Sequence, residues 1–130
     1  MIGETDLNKI LKSLKPKLNP GEFVFCVTDD LAQINQADII STFKEEEGVT
    51  VIIKKELADQ FKLQYPYVAT WITLTVHSSL EAVGLTSAFS TALAQSGISC
   101  NVIAAFYHDH LFVNKKDATQ AMEILNELSR

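Results

Sequence analysis

Residues 71–113 read WITLTVHSSLEAVGLTSAFSTALAQSGISCNVIAAFYHDHLFV, and the spacing of apolar residues changes repeatedly along them. ATWITLTV (69–76) carries apolar side chains on both parities, the pattern of a central strand covered on both faces or paired across an interface. SSLEAV (78–83) forms the exit loop. Leu85, Ala88, Phe89, Ala92 and Leu93 then recur at i, i+3, i+4, i+7, i+8, which predicts a helix stopped by Gly97. ISCNVIAAF reads as a strand, YHDH (107–110) as a connection and LFV as a second strand.

Working outward, KKDATQAMEILNEL predicts a closing amphipathic helix with Ala118, Ala121, Met122, Leu125 and Leu128 inward. Toward the N-terminus, DLNKILKSLKPK places Leu7, Ile10, Leu11 and Leu14 at helical spacing until Pro16 ends the run. NPG (19–21) marks a turn before the strand EFVFCVT. DIISTF and VTVII (49–53) read as strands around the acidic turn KEEEG, and KKELADQFKL as a helix facing inward through Leu57, Ala58, Phe61 and Leu63. Residues 29–44 give no clear helix. VIIKKELADQF (51–61) echoes LFVNKKDATQAM (111–122): an apolar strand, a lysine pair, an acid, then a helix. Helix–strand–strand–helix therefore occurs twice, joined by WITLTV, which predicts an α+β, ferredoxin-like arrangement of antiparallel sheets with helices on one side.

The bulk numbers bound the function. A chain of 130 residues, 47% hydrophobic and 21% charged, holds a sizeable core without staples. A net charge of −5 and a pI near 5.1 argue against nucleic-acid or anionic-membrane partners. No stretch has the length and apolarity of a spanning helix, and MIGETDLNKI has no basic start followed by an apolar core. Cys26 and Cys100 lie in apolar runs outside any C-x-x-C frame, as buried free thiols of a reducing cytoplasm do.

The stretch 71–113, with EEEG (45–48) before VTVII, resembles an ACT domain, the βαββαβ module that binds amino acids. The likeness is to short bacterial proteins with two ACT-like halves in one chain, here 1–68, a degenerate half, and 69–130. It implies a regulatory, non-catalytic protein without a cofactor, binding a small molecule such as an amino acid and assembling as a homodimer or higher homo-oligomer. It also implies a pocket in the loop after the first strand of the second half: Ser78, Ser79, Leu80, Glu81, Ala82, Val83, Gly84 and Leu85. Elementary chemistry agrees. Free backbone N–H groups at a helix start at Gly84 favour a carboxylate, Glu81 suits an α-ammonium group, and Ser79 offers a hydroxyl. Asn101 interrupts an apolar run, so a buried amide there needs partners, from a ligand or from loop backbone. HSSLEAVG stands where many enzyme-linked ACT domains have an aspartate–arginine–proline–glycine phrase, so the resemblance does not name the ligand.

Secondary candidates are Glu46 and Glu47 of the acidic turn, which either simply face solvent or help receive a cationic group, and His108. In YHDH, Asp109 suits a turn, and His108 and His110 point to one face if the chain is extended. Three readings stay open for this pair: a turn with hydrogen-bonded histidines, a contribution to the pocket or dimer interface, and a zinc site if a third ligand such as His77 approaches. Catalysis has little support. Cys100 with His108 is the only formal nucleophile–base pair and Cys100 lies in a buried-looking strand, while Ser78 or Ser79 beside His77 in sequence is not a relay geometry. A ligand-free structural or protein-interaction module is the competing function.

Overall fold

The computed structural model describes residues 6–76 and 82–130. The chain divides into two units: Met1–Pro20 with Thr70–Arg130, and Gly21–Ala69 between them. Residues 6–20 group with residues 70–130 in this division.

In the first unit, α1 (Leu7–Ser13) opens on Asp6, whose carboxylate accepts hydrogen bonds from the amides of Asn8 and Lys9. The helix stops short of the predicted Pro16 because the residue before a proline is driven out of the α region. The chain instead extends into a strand that the sequence did not suggest, β1 (Lys15–Leu18), antiparallel to β5 (Ala69–Thr75). Pro16 is tolerated there because β1 ends the strand order β1-β5-β7-β6, and edge strands accept proline. The strands β6 (Asn101–Ala104) and β7 (Asp109–Asn114) form an antiparallel hairpin. Helices α3 (Leu85–Gln95) and α4 (Ala118–Glu127) join α1 over one face of the sheet. Ile10, Ile72, Leu74, Phe89, Leu93 and Leu111 are central to that core and lose all contact with solvent. Each such side chain contributes roughly 1.5–3 kcal/mol through burial alone.

The second unit has strand order β3-β4-β2, from β2 (Phe23–Thr28), β3 (Ser41–Lys44) and β4 (Val49–Lys54), all antiparallel. Its helix α2 (Lys55–Gln60) buries Ala58 against Val24, Cys26, Val51 and Ile53. Residues 29–40 form two short 3-10 turns, 31–33 and 36–38, and from them Ile34 alone is buried. Among the described residues, no helix is long and apolar enough to cross a membrane.

Candidate functional site

Of the loop expected to form the pocket, Ser78, Ser79, Leu80 and Glu81 lie outside the described residues, as does His77. Beyond them, Val83 is 82% exposed, Gly84 turns the chain at φ +98, and Leu85 is buried as the first residue of α3. A side chain at Gly84 would be strained, since an added Cβ would sit 3.0 Å from Cδ2 of Leu7 on α1. Among the described residues no side chain caps α3, and the first-turn N–H groups of a helix carry its positive end.

Asn101 does not match the expected buried amide. It is exposed at the start of β6, opposite Phe112, and donates through Nδ2 to the Phe112 carbonyl at 3.4 Å. The reason is register: its apolar neighbours Val102 and Ile103 are half-buried, while Asn101 and Ala104 end the strand in solvent. Glu46 and Glu47 are exposed at the tip of the β3–β4 turn, which Glu45 closes by donating its amide to the Gly48 carbonyl at 3.1 Å. Glu45 also accepts from the Thr50 hydroxyl.

YHDH is displaced from its expected role. The turn spans residues 105–108, closed by the Ala105 amide on the His108 carbonyl at 3.1 Å, and Asp109 and His110 already belong to β7. His110 is fixed from two sides. The Trp71 indole donates Nε1–H to its Nδ1 at 3.0 Å, and the Thr73 hydroxyl lies 3.2 Å from the same nitrogen. Asn19 completes the chain, donating Nδ2–H to Thr73 Oγ1 at 2.9 Å and to the Trp71 carbonyl at 3.2 Å. An indole N–H only donates, so His110 Nδ1 is an acceptor and the proton of the neutral ring sits on Nε2. His108 differs: its Nδ1 carries a proton, since it lies 3.3 Å from the Val76 carbonyl, which only accepts. Both Nδ1 atoms are therefore spoken for, and only the Nε2 atoms remain to meet anything else.

Burial dominates the electrostatics of this region. Burial, then the neighbouring His108, pushes the His110 pKa down. Burial pushes that of Asp109 up, opposed by His108. The Cys100 thiol is raised to about 11 by burial, so it stays protonated and is a poor nucleophile near neutral pH. Among the described residues, no group of three or more His, Cys, Asp or Glu side chains is placed to hold a metal ion.

The Asn19–Thr73–His110–Trp71 chain was not foreseen. Its signal was there in the odd parity of β5, where Trp71, Thr73 and Thr75 face one way while Ile72 and Leu74 face the core on the other.

Two ACT-domain family models match in tandem, one over residues 2–70 and a second over 67–127. The chain belongs to the ACT-domain family. Its fold is the ferredoxin-like ACT fold, and the matched family is regulatory rather than catalytic. A solved protein of unknown function from Vibrio cholerae, described as a "Possible Transport Protein", is 46% identical with TM-score 0.87, covering 95% of this chain and 96% of that one. A protein from Agrobacterium tumefaciens shares the fold at 16% identity and TM-score 0.67, with 89% of each chain covered. The ligand-free regulatory subunit of aspartate kinase from Thermus thermophilus does so at 8% identity and TM-score 0.65, covering 92% of this chain and all of that one (100%). No curated protein matches the chain.

Proposed function

We propose that this tandem ACT protein is a cytoplasmic sensor that binds an amino acid or related metabolite and signals by assembly or contact with a partner enzyme. The observation that carries this reading is the start of α3. Gly84 in a left-handed conformation opens a helix whose first-turn amides no side chain caps among the described residues, in the crossover that follows the central strand of its unit. The ligand carboxylate sits on these amides. Glu81 receives the ammonium group, Ser78, Ser79, Leu80, Val83 and Leu85 shape the pocket, and Asn101 adds a polar contact. Glu46, Glu47 and His108 contribute secondarily, and the working form is a homodimer or higher homo-oligomer.

A thermal-shift screen of the untagged protein against the twenty amino acids tests this. A ligand at about 100 times its Kd adds roughly 2.7 kcal/mol, several degrees in Tm for a chain of this size. The expected result is a shift with one or a few amino acids that Glu81→Ala abolishes. No shift with any of them at millimolar concentration overturns the reading in favour of a ligand-free interaction module.

A further inference from the structure

The crossover from β2 to β3 leaves room beside the start of β3. A cavity of about 790 Å³ is walled there by Leu31, Ile34, Ile39 and Ile40, with the hydroxyls of Ser41 and Thr42. A second, of about 370 Å³, is lined by Asp38, Lys54, Glu56 and Leu57, and Ile40 belongs to both. All of these residues belong to the second unit. Volumes of this order, with mostly apolar walls and a few placed polar groups, suit a small molecule.

The two cavities divide the chemistry of an amino acid between them. The larger offers aliphatic surface and hydroxyls. The smaller offers one cation and two carboxylates. Lys55, the other lysine at the start of α2, is held by Asp59 at 3.1 Å, whereas Lys54 lines the cavity. The geometry points to a second ligand site in the second unit, for a zwitterionic α-amino acid with a bulky apolar side chain. The side chain occupies the larger cavity past Ile40, the carboxylate faces Lys54, and the ammonium group faces Asp38 and Glu56. One cation against two anions disfavours an acidic side chain, and the walls of the larger cavity hold no charge for a basic one. This site rests on the reading of the chain as an amino-acid sensor, but it uses none of the residues of the β5–α3 loop.

Amide-resolved NMR of the full chain, titrated with L-leucine and L-phenylalanine, tests it. Shifts are expected to concentrate in residues 31–42 and 54–60. Lys54→Gln, on an exposed side chain, should weaken binding about tenfold or more, because it removes a hydrogen bond to a charged group. Phenethylamine, which lacks the carboxylate, should bind correspondingly less well. Shifts confined to residues 82–101, with affinity unchanged in Lys54→Gln, overturn this site and leave the proposed function standing. Phenethylamine binding as tightly as L-phenylalanine overturns the role given to Lys54. No binding of either amino acid at millimolar concentration overturns the site, and only a null result across all twenty amino acids overturns the sensor reading as well.

Discussion

The crossovers from β2 to β3 and from β5 to β6 make the same journey with different residues. Each leaves a strand, passes over the sheet and returns two places away, since the orders are β2-β4-β3 and β5-β7-β6. Residues 85–95 make the crossing as α3, burying Leu85, Phe89 and Leu93 on one stripe. Residues 29–40 begin a stripe at Leu31 and Ile34, but its next positions hold Asn35 and Asp38. Short polar side chains take over the local hydrogen bonds there. Thr28 Oγ1 accepts from the Asp30 amide at 3.1 Å, and Asn35 Oδ1 from the Ala37 amide at 3.0 Å. Two polar residues at stripe positions are enough to replace a helix with 3-10 turns and to open a cavity.

The sharpest way to test that contrast is to truncate the residue each crossover buries. Phe89→Ala should lower unfolding free energy by about 3–5 kcal/mol, as deletion of a fully buried aromatic does. Ile34→Ala should cost about 2 kcal/mol, because its surroundings are already open and less packing is lost. Urea denaturation of both variants compares them directly. Equal costs, or a larger one at Ile34, would break the idea that the β2–β3 crossover is loosely packed.

What could be read from the sequence divides in the same way. The stripe on α3 and the strand pattern of 49–53 are local signals, and both elements form where they were expected. β1 was missed because KPKL carries no strand pattern, and its pairing with residues 72–75 is distant in sequence. The turn in the β6–β7 hairpin was placed two residues late. Asp109 looks like a turn residue, yet β7 extends through it and His110, whose partners Trp71 and Thr73 come from β5. The loop named as the pocket rested on resemblance. Of it, residues 82–85 are placed, and Gly84 has the conformation that a glycine there suggests. The two cavities beside Ile40 had no signature, because they arise where a helix fails to form.

The two histidines of the hairpin permit a pH comparison. With its folded pKa depressed, His110 takes up a proton more readily in the unfolded chain, whose value is about 6.5. Its contribution is therefore fully present above that pH and declines as pH falls below it. Asp109 acts in the opposite sense: its raised folded pKa favours the folded state in acid, and that benefit fades as pH rises through it. Trp71 is the sole tryptophan and touches His110, so its fluorescence reports the ring directly. The folded protein should show a fluorescence transition centred below 6.5, absent in His110→Gln, and that variant should lose part of the acid-side fall in stability. A midpoint at or above about 6.5, the ordinary histidine value, would contradict the neutral, hydrogen-bonded ring.

The smallest expected effect compares the ends of α2 and α3, which close with the same pair of bonds. The amide of Leu63 reaches the Ala58 carbonyl at 2.9 Å and that of Lys62 reaches Asp59 at 3.1 Å. On α3, Ile98 reaches Leu93 at 3.0 Å and Gly97 reaches Ala94 at 2.9 Å. The left-handed residue is Gly97 at φ +73 in one and Lys62 at φ +58 in the other. A side chain in that conformation costs roughly 1–2 kcal/mol, while glycine costs roughly 0.5–1 kcal/mol more in unfolded-chain entropy. Gly97→Ala, with no atom within 4 Å of the new Cβ, should therefore lose about 0.5–1 kcal/mol, the backbone strain less the entropy that glycine costs. Lys62→Gly should gain about 0.5 kcal/mol, the difference between the two terms. Both are read from the shift in urea midpoint at constant slope. A loss on Lys62→Gly would mean that the lysine side chain itself holds the end of α2, so that the two helix ends share a backbone but not a cause.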